Sequence, residues 1–226
     1  MSLNLFSIQP WPESTREILT IRNSAHVFGF DTTITKEPIP GSIPIGSVEY
    51  CELALPEAMR DITPKPMYPQ WVQPYLRRHV RLYHVNIRSD PTLRWRCFAK
   101  RADVWKSDKY PAGIRQPGDK LDLGQWWISD VISIVDEWRY YCVDGVVISS
   151  GWYDGESNDM RYPPSAPTLP FALPSDYSGT LDCGLLRDGR IAVIESHWPI
   201  ACGWYGEDSD EYTYWQIEAW RRLIKQ

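Results

Sequence analysis

The chain has 226 residues, of which 43% are apolar and 23% charged, and its formal net charge is −5. This length suits one large domain or two small ones, and the acidic balance argues against a nucleic-acid-binding protein. No stretch approaches the roughly 18 apolar residues of a membrane span, and the start MSLNLFSIQPW lacks the features of a signal peptide. The five cysteines have no CxxC spacing, which suits reduced thiols. We therefore expect a cytoplasmic protein that contacts neither membrane nor nucleic acid.

The amino-terminal part, residues 1–90, alternates short apolar pieces with prolines as far as residue 70. It contains no motif with catalytic chemistry. Two interpretations stay open, namely that this subdomain shapes a substrate pocket or that it is only a scaffold.

A basic stretch follows, because residues 77–109 carry ten basic side chains and three acidic ones. In an acidic chain this excess indicates a ligand that bears phosphate, and the alternative is a solvated strand face. Lys100 ends an apolar strand, so its stem can be buried while its ammonium reaches a cleft. The loop chemistry after it places Lys106, Lys109 and Gly113 in a connecting segment.

Two features of a central sheet come next. An apolar strand over residues 126–133 is interrupted at Ser129-Asp130, and a hairpin is predicted with its tip at Asp144-Gly145. A two-residue turn there would place Arg139 opposite Ser150 and Glu137 opposite Trp152. Glu137 and Arg139 then share one face, although such a pair is usually a weak surface ion pair.

A second hairpin is predicted at Asp188-Gly189. A two-residue turn at this position places Arg187 opposite Arg190 and Asp182 opposite Glu195. His197 lies on the same side of the sheet as Glu195 because side chains alternate along a strand. Two opposed carboxylates repel unless a cation lies between them, and oxygen ligands suit Mg²⁺. The alternative is that solvent screens the two acids. A closing helix is predicted over residues 211–225.

The order of these motifs resembles the ATP-grasp superfamily. The likeness covers residues 93–206 and rests on Phe-Ala-Lys100, Ser129-Asp130, Glu137-Trp-Arg139, Leu181-Asp182 and Glu195-Ser-His197. The chain is most similar to the divergent arginine/lysine clade that includes the eukaryotic translation-initiation-factor assembly (cell-division-cycle) proteins.

The resemblance implies an α+β fold with two antiparallel-sheet lobes and a nucleotide cleft between them. Residues 91–128 would form the small lobe and residues 129–226 the large lobe with the closing helix. Residues 1–90 would then be an amino-terminal α/β subdomain of the kind that precedes an ATP-grasp domain.

The resemblance also implies roles for individual residues. Lys100 would contact the α- and β-phosphates of ATP, and Arg139 would stabilise the transferring phosphoryl group or the acyl phosphate. Asp182, Glu195 and His197 would bind Mg²⁺. The remaining nucleotide-binding residues would be Lys106, Lys109, Gly113, Ile128, Ser129, Asp130 and Glu137.

The implied function is an ATP-dependent carboxylate–amine (or thiol) ligase that acts through an acyl phosphate. Its partners would be Mg–ATP and a peptide, protein or small carboxylate or amine substrate. One departure is His197, which stands where the superfamily usually has Asn. This departure favours an alternative, a non-catalytic ATP- or protein-binding assembly factor with the same fold. The 12 tryptophans leave open a second alternative, a carbohydrate-binding protein.

Overall fold

Three β-sheets carry the fold in this computed structural model, which describes residues 4–10, 15–105, 109–156 and 163–225. The first sheet is parallel, with its strands in the order β2-β1-β3. Its strands are β1 (Leu5–Ile8), β2 (Asp31–Ile34) and β3 (Ile43–Ile45). The helices of this part are α1 (Arg16–Ser24), α2 (Val48–Leu53) and α3 (Glu57–Arg60), with 3-10 turns at Ala25–Phe28 and Gln70–Tyr75. This arrangement is the predicted α/β subdomain.

The second sheet is antiparallel and has the strand order β4-β7-β5-β6. Its strands are β4 (Val80–Val85), β5 (Cys97–Arg101), β6 (Gly113–Arg115) and β7 (Gly124–Ser129). Strand β4 pairs with β7, so that Val80 lies opposite Ser129. The predicted boundary at residue 90 is therefore misplaced, because the small lobe includes β4.

The third sheet is also antiparallel, with the strand order β11-β10-β8-β9. Its strands are β8 (Ile134–Val143), β9 (Val146–Gly155), β10 (Gly179–Leu186) and β11 (Ile191–His197). The two antiparallel lobes and the amino-terminal subdomain confirm the predicted α+β class.

The hairpin of β10 and β11 pairs Asp182 with Glu195, as predicted. The turn itself differs from the prediction, because the Leu186 N–H donates to the Arg190 carbonyl at 2.8 Å. Three residues therefore form the loop, and Arg187 does not face Arg190. A β-bulge between Asp182 and Cys183 then restores the predicted pairing by leaving Ile194 unpaired on β11.

The hairpin of β8 and β9 has the predicted two-residue turn, in which Val143 pairs with Val146. Two bulges then shift the register, so that Arg139 lies opposite Gly151 and Glu137 opposite Asp154. The predicted partners Ser150 and Trp152 are therefore wrong. The second bulge leaves Tyr153 unpaired, and a bulge can redirect the side chain of its extra residue.

One continuous core joins the amino-terminal subdomain to the large sheet through α4 (Ser209–Leu223). This helix begins before the predicted residue 211 because the Asp208 carboxylate caps it, accepting from the Asp210 N–H at 2.7 Å. Trp215 and Trp220 on α4 are fully buried in this core, and the Trp215 ring packs edge-on against that of Tyr141. A separate small core lies within the small lobe. No helix among the described residues has the length and apolar character of a membrane span.

The connection over residues 198–206 folds back onto β9 at Gly151. A Cβ atom at this glycine would lie 2.2 Å from the carbonyl carbon of Tyr205. The Tyr141 hydroxyl accepts from the Tyr205 N–H at 3.0 Å, and Glu17 of α1 accepts from the Trp204 N–H at 2.7 Å. The absence of a side chain at Gly151 therefore allows this connection to lie flat on the sheet.

We expect Gly151→Ala to lower the free energy of unfolding by about 1–3 kcal/mol, because the added methyl group overlaps backbone atoms that cannot move freely. Gly113→Ala is the matched control, since a Cβ atom there has no neighbour within 4 Å. The control should stay within about 0.5 kcal/mol of wild type. Urea unfolding measures both, and equal stabilities would contradict this packing.

Candidate functional site

The two lobes meet at an ion pair between Lys100 and Glu195. Lys100 lies near the end of β5, and Glu195 lies on β11 beyond the bulge. The Lys100 ammonium donates a hydrogen bond to Glu195 Oε2. Their side chains are only 14% and 16% exposed, so the charges face each other with little water between them. The sequence predicts that the Lys100 ammonium reaches a cleft, and in the structure it contacts an acid of the opposite lobe directly.

A second ion pair lies beside the first, within the large sheet. Arg139 on β8 and Asp182 on β10 are neighbours across the ladder. Arg139 donates two hydrogen bonds of 2.8 Å, from Nε to Asp182 Oδ1 and from Nη2 to Asp182 Oδ2. Burial lowers the pKa of Arg139, but the Asp182 carboxylate more than offsets burial and raises that pKa well above its ordinary value.

Two tyrosine rings support the Arg139 guanidinium. Its Cζ atom lies 5.7 Å from the ring centroid of Tyr153 and 5.4 Å from that of Tyr205, which is cation–π range. Tyr153 is the bulge residue of β9, and its hydroxyl donates to Glu137 Oε2 at 2.6 Å. Burial raises the pKa of Glu137, so its charge is costly at this position.

Asp182, Glu195 and His197 form a candidate metal site. One ligand atom from each side chain lies within 4.8 Å of the other two. His197 Nε2 is 2.8 Å from Glu195 Oε1 and 3.9 Å from Asp182 Oδ2. Two carboxylates and an imidazole fit a single divalent ion. The oxygen donors suit Mg²⁺, whereas the imidazole suits transition-metal ions better.

Neighbouring charges keep Glu195 ionised. Burial by itself would raise the pKa of Glu195, but Lys100 and His197 more than offset burial and hold it well below its ordinary value of 4.5. The interpretation that solvent screens the two acids is wrong, because the Asp182 side chain is only 3% exposed. Both carboxylates depend on protein cations instead.

Arg78 stabilises the bulge at Ile194, which is the bulge that places Glu195 opposite Asp182. Arg78 donates hydrogen bonds to the carbonyls of Val193 at 2.9 Å and Ile194 at 2.7 Å. Arg101, also in the basic stretch, donates to Asp103 Oδ1 at 2.8 Å. Part of the basic stretch therefore stabilises the fold. Among the described residues of the stretch, Lys100 and Lys109 line a cavity next to these charges.

A cavity of about 950 Å³ opens beside these charges. The amino-terminal subdomain forms one wall of it through Glu17 and Ser47, and Trp105 and Tyr205 form others. None of these four was predicted from the sequence. They come from segments far apart in the chain, and no motif with catalytic or binding chemistry marks them.

The structure separates the predicted site residues into two groups. Lys100, Lys109, Arg139, Asp182, Glu195 and His197 line the cavity, whereas Gly113, Ile128, Ser129, Asp130 and Glu137 do not. Ile128 and Ser129 lie in β7, which has a paired strand on each side. The Asp130 carboxylate accepts from the His79 N–H at 3.1 Å. Lys106 lies outside the described residues.

A family model decides the classification. The model of the ATP-grasp domain, R-2-K clade family 2, matches residues 75–215. This chain belongs to that family. The match covers both lobes from the segment before β4 to the middle of α4. The matched range also begins before residue 90, in agreement with the inclusion of β4 in the small lobe.

Two solved structures show a weaker similarity to this ATP-grasp protein. The ATP-grasp ligase PsnB, complexed with a minimal precursor, is 11% identical, with a TM-score of 0.49 over 96% of this chain and 100% of that chain. The D-alanine–D-alanine ligase of Bacillus anthracis, complexed with ATP, is 10% identical, with a TM-score of 0.47 over 98% of each chain. No curated protein matches the sequence significantly. The family assignment therefore rests on the sequence model alone.

We expect Asp182→Asn to lower the free energy of unfolding by about 3 kcal/mol, because it leaves the buried Arg139 without an anionic partner. Asp188→Asn on the same hairpin is the matched control, since Asp188 pairs with Arg190 at an exposed tip. The control should unfold like wild type. A small effect of both substitutions in urea would contradict the buried pair.

The lowered pKa of Glu195 predicts that the free energy of unfolding decreases at acid pH. Its folded pKa lies below its unfolded value, so its contribution is fully present above about pH 4.5 and is lost as the pH falls through the folded pKa. Glu195→Gln removes this contribution. Between about pH 5 and about pH 3, its free energy of unfolding should therefore fall less than that of wild type. Glu57→Gln, on an exposed helix, should keep the wild-type slope, and equal slopes for all three proteins would refute the assignment.

Proposed function

We propose that this chain is an ATP-dependent carboxylate–amine (or thiol) ligase that binds Mg–ATP and acts through an acyl phosphate. The observation that carries the proposal is the convergence of two cation–carboxylate pairs on one cavity, in a member of an ATP-grasp family. The substrate would be a peptide, a protein or a small carboxylate, joined to an amine. The likeness to the translation-initiation-factor assembly proteins and the cytoplasmic location remain predictions.

The charges in the cleft complement Mg–ATP. Lys100 and Arg139 are cations that suit phosphate oxygens, and Asp182 and Glu195 are oxygen donors that suit a divalent ion. Each cation is paired with a carboxylate. A ligand that supplies both a metal ion and phosphate can replace these pairs, because the carboxylates then bind the metal ion and the cations bind the phosphate, and every charge keeps a partner. A ligand that supplied only one sign would leave a charge buried and unpaired.

The chain's own residues would act by position and charge. Lys100 and Lys109 would hold phosphate oxygens, Asp182 and Glu195 would hold Mg²⁺, and Arg139 would neutralise charge at the transferred group. Bound Mg²⁺ would contribute charge compensation on the phosphates, which phosphoryl transfer requires more than covalent help from the protein. The substrate carboxylate would take the phosphoryl group, and attack by the amine at the acyl carbon would release phosphate.

The acceptor would lie in the part of the cavity bounded by the amino-terminal subdomain. Glu17 and Ser47 reach this wall from the first turn of α1 and the start of α2. Glu17 also holds the 198–206 connection through the Trp204 N–H. The subdomain would therefore set the shape of the acceptor pocket, which supports a pocket-forming role over a scaffold alone.

One observation favours a second candidate, a non-catalytic nucleotide-binding protein with the same fold. Both oxygens of Asp182 accept hydrogen bonds from Arg139, which reduces their capacity to bind a metal ion. Release of ADP that depends on an acceptor amine would decide for the ligase. The carbohydrate-binding alternative has little surface to use, because Trp95 is the one described tryptophan that is more than a third exposed.

We expect Mg–ATP at about 100 times its Kd to add about 2.7 kcal/mol to the stability of the wild-type protein. Lys100→Ala and Asp182→Asn should lose most of this gain, each measured by thermal shift against its own ligand-free form. Lys36→Ala, which removes an exposed lysine away from the cavity, should keep the full gain. An unchanged gain in Lys100→Ala would refute the site assignment.

A further inference from the structure

The candidate metal site of this cleft contains a nitrogen donor. His197 contributes an imidazole next to the carboxylates of Asp182 and Glu195. We infer that this site selects a transition-metal ion, with Mn²⁺ bound in preference to Mg²⁺, and that His197 is a direct ligand. The inference rests on the proposed function, since it concerns the ion that accompanies the nucleotide.

The position of His197 is fixed by its surroundings. Its backbone lies in β11 and pairs with Thr180 on β10. Its ring centroid is 6.0 Å from that of Trp105, and its side chain is only 14% exposed. The imidazole is therefore held in the site from two sides and belongs to the donor set that an entering ion meets.

The two oxygens of Glu195 have different partners. Oε2 accepts from Lys100, whereas Oε1 lies 2.8 Å from His197 Nε2. Asp182 Oδ2 is the third atom of this group, at 3.9 Å from the same nitrogen. An ion that replaces the contact between Glu195 Oε1 and His197 Nε2 would therefore be bound by an oxygen and a nitrogen together, with Asp182 beside them.

Arg139 makes Asp182 a weaker metal ligand, so that the affinity for the metal ion depends more on His197. Both Asp182 oxygens accept hydrogen bonds of 2.8 Å from the guanidinium. A carboxylate with its charge already compensated is a weaker ligand for a hard cation, because Mg²⁺ gives up its water reluctantly and depends on strong oxygen donors. Glu195 and His197 then decide which ion binds best.

The chemistry of the donors gives the direction of selectivity. Imidazole suits zinc, copper, iron and nickel ions, whereas carboxylate and water ligands suit Mg²⁺ and Mn²⁺ alike. Mn²⁺ is nevertheless a first-row transition ion, and it binds an imidazole nitrogen more strongly than Mg²⁺ does. A site with one imidazole, two carboxylates and nucleotide phosphates therefore favours Mn²⁺. An amide oxygen in place of the imidazole would remove the preference.

The test compares the affinities of Mn–ADP and Mg–ADP by calorimetry, with the Mn:Mg preference of free ADP as the baseline. Wild type should exceed that baseline by about tenfold, and His197→Asn should return to within about threefold of it. His84→Asn is the matched control, since His84 is exposed on β4, away from the cavity. It should keep the wild-type preference.

Ligation is read directly on the wild-type protein by pulsed electron paramagnetic resonance of bound Mn²⁺. The protein is labelled with ¹⁵N-histidine, so that nitrogen modulation cannot come from the adenine of unlabelled ADP. We expect ¹⁵N modulation from one histidine, and its loss in His197→Asn. If His197→Asn does not fold, the wild-type spectrum alone decides, because a histidine that only supports Glu195 gives no directly bonded coupling.

The outcomes separate this inference from the proposed function. Binding of ADP with a Mn:Mg preference equal to that of free ADP and no ¹⁵N modulation would overturn the inference and leave the proposed function intact. Failure of ADP to bind wild type with either ion would overturn both. A raised Mn:Mg preference together with ¹⁵N modulation supports both.

Discussion

The structure depends on four charges, each with a side chain no more than 16% exposed, that meet where the two antiparallel lobes face each other. Lys100 crosses the cleft to Glu195, and Arg139 holds Asp182 within the large sheet. Burying any one of these charges alone would be costly, so each is tolerated only because its partner is in place. The bulges, the tyrosine rings and the 198–206 connection all serve to keep these pairs aligned. The same arrangement gives the cleft both signs of charge, which suits the proposed ligand Mg–ATP.

The sequence predicted the acid pair correctly, for a reason that is partly fortuitous. The loop of the second hairpin has three residues instead of the expected two, and the bulge at Ile194 corrects the register by one. No comparable cancellation occurs between β8 and β9, where Arg139 lies opposite Gly151 and not Ser150. Turn chemistry is local and legible, whereas a bulge depends on distant contacts such as that of Arg78 with the Ile194 carbonyl.

The remaining residues of the site are brought together by contacts between segments that are far apart in the sequence. Glu17 and Trp204 meet although most of the chain separates them, and neither lies in a motif with catalytic chemistry. Tyr153 reaches the face of Arg139 because the bulge at Ile148 places Gly151, two residues before Tyr153, opposite Arg139, and the turn alone does not predict this shift. Ile128 and Ser129 lie in β7, an inner strand paired on both sides, and their role in nucleotide binding stays a prediction. The family resemblance identified the fold, and six of the residues that it pointed to line the cavity, whereas tertiary packing determined the remaining walls.

A crystal structure of the chain with Mg²⁺ and a non-hydrolysable ATP analogue would show whether nucleotide and metal ion exchange with the paired charges of the cleft. We expect the Lys100 ammonium to leave Glu195 for a phosphate oxygen, while Glu195 and Asp182 contact the metal ion. A nucleotide bound elsewhere, or one bound while the Lys100–Glu195 pair stays intact, would contradict this arrangement.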